Sequence, residues 1–273
     1  MFHRSIADTG SASISHGGAD TQRLLLADDG LGFSVSLVTA PKGGPHTIWY
    51  RHHWEASYLI SGRALLEELS GEQRSWELWP GDMYCVGPGD HHRVTDLTAC
   101  TVLGVFNPAL TGTENHDAQG NYPPGATPPP AGHDVMFVYR PADLEAMGRA
   151  RTSPNGTRLL RYLLAPDGLG LTWSDVHFQD GAEANLWYRN HWEGNYVFGG
   201  EGELTHHGTG EVLKLTPGMM YAVGPDDRHT LKAIRDFHIV SLFNPPLAGT
   251  EVHDADGAYP PTGPLPPGPG GGN

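Results

Sequence analysis

The sequence predicts an all-β chain built as two tandem jelly-roll barrels, and three observations carry that prediction. The first is an internal repeat. WYRHHWEASY from Trp49 returns as WYRNHWEGNY from Trp187, PGDMYCVGPGDHH from Pro80 returns as PGMMYAVGPDDRH from Pro217, and FNPALTGTENHDAQGNYPP from Phe106 returns as FNPPLAGTEVHDADGAYPP from Phe243. The offsets are 138, 137 and 137 residues, so the copies stay in register except for one residue between Gly62 and Pro80, most simply in a hairpin loop. A repeat of this kind makes each copy one structural unit. The second is punctuation: 37 Gly and 23 Pro suit short strands joined by tight turns. The third is the texture of each copy, where stretches such as YLISGRALLEELSGEQRSWELWPGDMYCVG alternate short apolar runs with Gly-containing turns. That texture gives roughly seven or eight strands per copy, the inventory of a double-sheet jelly roll.

The repeat places the first copy at 1–134 and the second at 135–262. The openings correspond weakly, MFHRSIAD with MFVYRPADLEAM, and RLLLADDGLGF from Arg23 matches RYLLAPDGLGL from Arg161. The junction YPPGATPPPAGHD reads as a semi-rigid linker, and the Pro/Gly-rich tail 263–273 as disordered. The one helix expected is PADLEAMGRA, with Pro141 in its first turn.

A net charge of −14 argues against nucleic acid and anionic membrane as partners, both of which need basic patches. The opening MFHRSIADTG has no apolar core of a signal peptide, and no apolar run approaches the ~18 residues of a membrane span. Cys85 and Cys100 are the only cysteines, which fits a reducing compartment. A soluble cytoplasmic protein is the reading, either a monomer with pseudo-dimeric halves or a homodimer.

If the Trp49 block is one strand, Arg51, His53, Glu55 and Ser57 share a face, as do Arg189, His191, Glu193 and Asn195. Tyr50, Trp54 and Tyr58 then form the opposite, packing face. Burying Arg, His and Glu side by side costs several kcal/mol unless they pair or bind a ligand; the alternative is that this face meets solvent. Tyr84 and His92 flank a GPGD turn, and Tyr221 and His229 flank GPDD. Glu55, Tyr84 and His92, and again Glu193, Tyr221 and His229, offer the oxygen and nitrogen donors that hold a divalent metal. The FNPxLxGTExHDxxGxYPP block reads either as a structural loop or as a lid bearing Glu114 and His116, or Glu251 and His253, over a barrel mouth. His3, His16, His133, His206 and His207 have no matched partner and are read as surface residues.

Glu55 with Gly62, and Glu193 with Gly200, have the spacing of the first cupin motif, although Trp49, Arg51, Trp187 and Arg189 replace its usual His-x-His. The combination of Y-R-x-H-x-E, M-Y-A, D-R-H and FNPPLAGTEVHDADGAYP, over most of each half, resembles the ectoine synthase family of cupins. The resemblance implies a bicupin, with iron(II), or zinc or manganese, held by Glu193, Tyr221 and His229 and by Glu55, Tyr84 and His92. It places catalytic positions at Tyr188, His191, Glu251 and His253, with Tyr50, His53, Glu114 and His116 in the first copy, and substrate contacts at Phe243 and Phe106. Tyr50 and Tyr188 have the wrong parity for a regular strand, so they reach the cavity only through a bulge or bend. Arg161 and Arg189, and their counterparts Arg23 and Arg51, are cations able to hold a substrate carboxylate. The family's Asn and Thr after its Gly-Phe-Ser stretch are replaced around Ser36 and Val38, and around Ser174 and Val176.

The reaction implied is a metal-dependent cyclodehydration. A small zwitterionic or acylated amino acid, such as an N-acetylated diaminobutyrate, closes to a cyclic amidine with loss of water. Two other readings stand beside it: an iron-dependent bicupin oxygenase, and a non-catalytic bicupin that binds a small ligand.

Overall fold

The structure is a computed structural model that describes residues 1–7, 9, 18–133 and 135–270. His16, the copy boundary at 134 and the tail residues 271–273 lie outside the described residues. In chain order the strands begin β1 (Phe2–Ser5), β2 (Asp20–Leu25), β3 (Ser34–Ala40), β4 (Gly43–Ile48), β5 (Trp54–Ser61), β6 (Ala64–Glu68), β7 (Ser75–Leu78), β8 (Met83–Val86), β9 (His92–Asp96) and β10 (Cys100–Asn107). They continue as β11 (Phe137–Tyr139), helix α1 (Pro141–Ala146), β12 (Ala150–Thr152), β13 (Arg158–Leu163), β14 (Thr172–His177), β15 (Glu183–Leu186), β16 (Trp192–His206), β17 (Val212–Leu215), β18 (Met219–Val223) and β19 (His229–Asn244). No described helix is long and apolar enough to cross a membrane. Three-residue strands such as β11 and β12 are too short to show alternation, so the structure has more strands than the sequence suggests.

The chain forms two compact units, Thr9–Asp143 and Met1–Asp8 with Leu144–Asn273. The unit Thr9–Asp143 is a double sheet, β11-β8-β5-β10-β3-β2 against β4-β9-β6-β7. Between the sheets lie Leu59, Leu66, Leu78, Val86, Phe106 and Met136. The other unit has the order β1-β18-β16-β19-β14-β13-β12, with β15 on β19 and β17 on β16. Here β16 and β19 run unbroken where the first copy has β5–β6 and β9–β10, and register shifts at Val197/Gly199, Gly199/Glu201 and Glu201/Gly202 bend the pair. Gly200 sits at that bend with φ +70, and a Cβ there would lie 2.1 Å from the Asp236 carbonyl oxygen, so no other residue fits.

These units differ from a division at 134/135. The opening strand β1 pairs with β18 of the second copy, and β11, which opens the second copy, pairs with β8 of the first. The repeat cannot reveal this exchange, because the two opening segments are similar and either satisfies either sheet edge. The one-residue offset falls in a hairpin, as read: 69–74 joins β6 to β7, and 207–211 joins β16 to β17.

Three sequence expectations need correction. Helix α1 stops at Ala146 because Gly148, at φ +71, turns the chain and the Arg149 amide donates to the Leu144 carbonyl at 2.8 Å. The segment read as a semi-rigid linker is a strap bound to its own barrel: Trp54 Nε1 donates to the Pro130 carbonyl at 3.0 Å, and His53 Nε2 faces the Pro123 carbonyl at 2.9 Å. The tail is likewise placed as far as residue 270, with Trp192 Nε1 donating to the Pro266 carbonyl at 3.3 Å. The Pro130 and Pro266 carbonyl oxygens accept from the indoles, so both straps lie on their barrels.

Candidate active site

The metal-donor residues come together because a Gly–Asp turn folds the chain back on itself. In the first copy Asp90 holds the turn: its side chain accepts from the Gly87 amide at 2.7 Å and the Met136 amide at 2.9 Å. Its backbone carbonyl faces His92 Nδ1 at 3.1 Å. A carbonyl can only accept, so Nδ1 carries the proton and Nε2 is left with its lone pair. His92 Nε2 is buried without a partner. The second copy repeats this: Asp227 accepts from the Gly224 amide at 2.8 Å, its carbonyl takes His229 Nδ1 at 2.8 Å, and His229 Nε2 has no partner. Burial lowers the pKa of His92 to about 4 and lowers that of His229, which keeps both imidazoles neutral.

On β5, Glu55 pairs across the sheet with Val86 and Ser57 with Tyr84, which brings carboxyl and phenol to adjacent positions. Ser57 Oγ donates to Glu55 Oε1 at 2.7 Å, while Oε2 is buried with no partner. In the second copy Ser241 donates to Glu193 instead. Ser57 faces Gly104 across the sheet, and Asn195 faces Ser241, so the supporting hydroxyl has moved to the neighbouring strand. Burial raises both carboxyls to about 7 and pushes the Tyr84 and Tyr221 phenols well above their ordinary value, with the nearby Glu adding to the rise. Each set thus holds a carboxyl, a phenol and an imidazole whose Nε2 has no partner, and the first set adds the unpartnered Glu55 Oε2. Those residues fit a divalent cation, which would supply the missing charge.

A second pair sits above each set. Tyr50 Oη and His116 Nε2 are 3.0 Å apart, and Tyr188 Oη and His253 Nε2 are 3.2 Å apart. Tyr50 reaches the cavity because the chain turns at Arg51–His52 and β5 starts only at Trp54; the bend that parity demands is this turn. It also undoes the single-face reading. Arg51 is exposed and stacks on Trp49 at 3.9 Å, and Arg189 pairs with Asp254 and, at 3.4 Å, with Asp256, so neither lines a cavity. Trp54 packs under the strap rather than on an outer face.

His53 and His191 lie behind the aromatic wall. His53 has its two nitrogens against the Pro108 and Pro123 carbonyls, at 3.0 and 2.9 Å, and His191 Nε2 meets Thr262 Oγ1 at 3.0 Å. Glu114 and Glu251 are tied to their own loops. Glu114 accepts from the Thr111 and Gly112 amides at 2.5 and 2.8 Å, and Glu251 from the Ala248 and Gly249 amides at 2.6 and 2.7 Å. Among the histidines read as surface residues, His206 is buried, with Nε2 3.2 Å from Asp227 Oδ1; it braces the turn that aims His229.

The first cavity, about 150 Å³, is lined by Arg23, Ser36, Tyr50, Glu55, Tyr84, Phe106 and His116; the second, about 500 Å³, by Arg161, Ser174, Tyr188, Glu193, Phe243 and His253. Arg23 Nε and Nη2 are buried with no partner, and Arg161 Nη1 donates to the Gly249 carbonyl. Tyr122 and Tyr259 were not singled out in the sequence, yet they stack on His116 and His253 at 4.3 and 4.1 Å and on Tyr50 and Tyr188 at 5.1 and 5.5 Å. Their signal was present, as the matched Tyr before each Pro-Pro.

The family model described as ectoine synthase matches residues 3–126 and again 136–263. The chain belongs to the ectoine synthase family. Its members are hydro-lyases, and each half of this chain is one copy of the family's domain. The L-ectoine synthase of Marinomonas sp. (strain MWYL1) is 35% identical over 125 residues, 45% of this chain and 97% of the relative. That of Streptomyces anulatus is 38% identical over 126 residues, 46% of this chain and 96% of the relative. Among solved structures, the oxalate decarboxylase of Lactobacillus farciminis superposes with TM-score 0.66 at 15% identity, covering 91% of this chain and 87% of that one. At that identity the likeness shows the fold: two cupin barrels in tandem.

Proposed function

We propose that this chain is a metal-dependent cyclodehydratase that closes a small N-acylated diamino acid, of the N-acetyl-diaminobutyrate kind, to a cyclic amidine. One observation carries the reading: in each copy a buried carboxyl, a Tyr–His hydrogen bond and an arginine line one cavity, and a buried imidazole with an unused nitrogen packs against a tyrosine of that cavity, His92 against Tyr84 and His229 against Tyr188. Glu55, Tyr84 and His92, and Glu193, Tyr221 and His229, would hold the metal, iron(II) by family resemblance, or zinc or manganese. When bound, the metal supplies Lewis acidity toward an amide oxygen.

The remaining work falls to the chain. Arg23 or Arg161 takes the substrate carboxylate in a charge-assisted hydrogen bond. Phe106 with Tyr122, or Phe243 with Tyr259, holds the carbon chain bent, so that the free amine meets the acyl carbon at a high effective concentration. A C–N bond forms, the amine loses its protons, and the former acyl oxygen leaves as water. The Tyr–His pair moves those protons, because each ring nitrogen lies within hydrogen-bond reach of a phenol facing the cavity. Glu114 and Glu251 keep the loop that carries the His in place.

The test is to load the full chain with Fe²⁺, Zn²⁺ or Mn²⁺ in turn and screen N-acetylated and longer N-acylated diamino acids by mass spectrometry. Loss of one water from at least one of them is expected, and is abolished in the Glu55→Ala/Glu193→Ala double variant. No turnover with any metal, or turnover that survives the double variant, overturns the proposal.

A further inference from the structure

A second group of metal-ligating side chains lies outside both cavities. On β14, Asp175 and His177 are two residues apart and share a face. His238, on the antiparallel neighbour β19, stands directly opposite His177. Ser174, Val176, Ile239 and Ser241 alternate with these residues and line the cavity, so Asp175, His177 and His238 occupy the other face of the sheet. His238 Nε2 lies 2.9 Å and His177 Nε2 3.2 Å from the same oxygen, Asp175 Oδ1. The two imidazoles stack at 3.6 Å with 20° between their planes, and the ligand atoms all lie within 4.8 Å of one another.

Two ring nitrogens and one carboxylate oxygen are thus gathered at one point, and a single cation between them would give all three a shared partner. A tetrahedral ion with ligand bonds of about 2.0–2.1 Å needs donor atoms about 3.3 Å apart, a few tenths of an ångström from the two carboxylate–imidazole spacings of 2.9 and 3.2 Å. The Asp175 carboxyl is buried and meets both imidazoles at the same oxygen. The His177 side chain is 58% exposed, so solvent ions reach the group and a coordination position stays open. The first copy has Leu37, Thr39 and Thr101 at these positions, with Thr39 opposite Thr101, and so has no counterpart.

We propose that Asp175, His177 and His238 form a separate divalent-metal site on the outer face of the second barrel, selective for ions that favour imidazole, Zn²⁺, Ni²⁺ or Co²⁺. It does not depend on the cavity metals or on the proposed reaction. The full chain, stripped with chelator, is titrated with Zn²⁺ by calorimetry and with Co²⁺ by visible absorption, beside His177→Gln/His238→Gln and Glu55→Gln/Glu193→Gln variants. The wild type is expected to bind one equivalent more than the histidine variant, and the cavity variant is expected to keep that equivalent. Zn²⁺ should protect His177 and His238 of the wild type from diethyl pyrocarbonate, as mapped by mass spectrometry, a readout that needs no variant. Equal stoichiometry in wild type and histidine variant overturns the site; if that variant does not fold, equal modification of the two histidines with and without Zn²⁺ does so. Loss of binding in the cavity variant alone bears on the cavity reading and leaves this site standing.

Discussion

Replacing Glu193 by Gln in metal-free protein should stabilise the unit that contains it, by an amount that grows with pH. Burial raises the Glu193 carboxyl from 4.5 to about 7. A difference of that size corresponds to about 3 kcal/mol between the protonated and ionised forms. The folded-state pKa is the higher one, so the stability this group contributes is fully present below the unfolded value of 4.5 and is lost as pH rises through about 7. Gln keeps the neutral shape and can still accept from Ser241, and it has nothing to ionise. The difference between variant and wild type should therefore be under about 1 kcal/mol at pH 5 and about 3 kcal/mol at pH 8, on the order of 10 °C in melting temperature for a unit of this size. Calorimetric melts of chelator-treated protein at pH 5, 6, 7 and 8 measure it. Restoring metal should reverse the order, because the cation needs the carboxylate. A difference that does not change with pH, or a Gln variant that melts lower than wild type at pH 8 without metal, refutes the reasoning.

Three further outcomes follow from the same geometry. Trp54→Ala should cost about 3–5 kcal/mol as a large-to-small change in a packed site and open 123–133 to limited proteolysis, because Gly87, Gly132 and the Pro130 carbonyl all rest on that indole; a segment that stays protected would show that the strap holds by other contacts. Gly200→Ala should lower the melting temperature of its own unit, since φ is +70 and the added Cβ would meet the Asp236 carbonyl at 2.1 Å, and an unchanged melt would count against the bend. Arg23→Gln and Arg161→Gln should raise KM about 10- to 100-fold with kcat little changed, the loss of a charge-assisted hydrogen bond to a carboxylate; an effect confined to kcat would place the arginines elsewhere in the reaction.

The fold was legible because duplication writes every element twice. Glu, Tyr and His at matched offsets also marked residues that the structure buries or half-buries in each candidate site, and neither a packing tyrosine nor a surface histidine has a reason to recur in that company. What the sequence hid were matters of backbone direction. Strand parity put Arg51 and Arg189 beside Glu55 and Glu193, but a turn before β5 throws the arginines outward and brings Tyr50 in. The exchange of β1 and β11 is invisible where two similar strands can fill either edge. The Pro-rich segments look like spacers until an indole is seen donating to a proline carbonyl. His238 gave no sign because its partners are set by register across β14 and β19, not by spacing along the chain.

The two copies should differ in the substrates they accept, because their cavities keep the same donors and differ in space and charge. His46 and Asp96, 3.9 Å apart, both line the first cavity. Ala184 and Ala233 occupy the matching places on the paired strands of the second copy. Burial raises the Asp96 carboxyl, opposed by a hydrogen bond from Cys100 and the charge of His46, so the first cavity carries an extra ionisable pair where the second offers methyl groups. The volumes follow the same direction, about 150 Å³ against about 500 Å³. Under the proposed reaction, an acyl group longer than acetyl fits only where there is room for its added methylenes, each of which gains about 0.8 kcal/mol on burial and is excluded where packing is already closed. Glu55→Ala, which leaves the second cavity intact, should retain turnover of butyryl as well as acetyl substrates, whereas Glu193→Ala should keep acetyl turnover at most and lose butyryl entirely. Parallel kcat/KM measurements on the two variants decide it. Equal butyryl-to-acetyl ratios in both would mean that cavity volume does not govern selectivity, and a higher ratio in Glu193→Ala would mean that the roles of the copies are reversed.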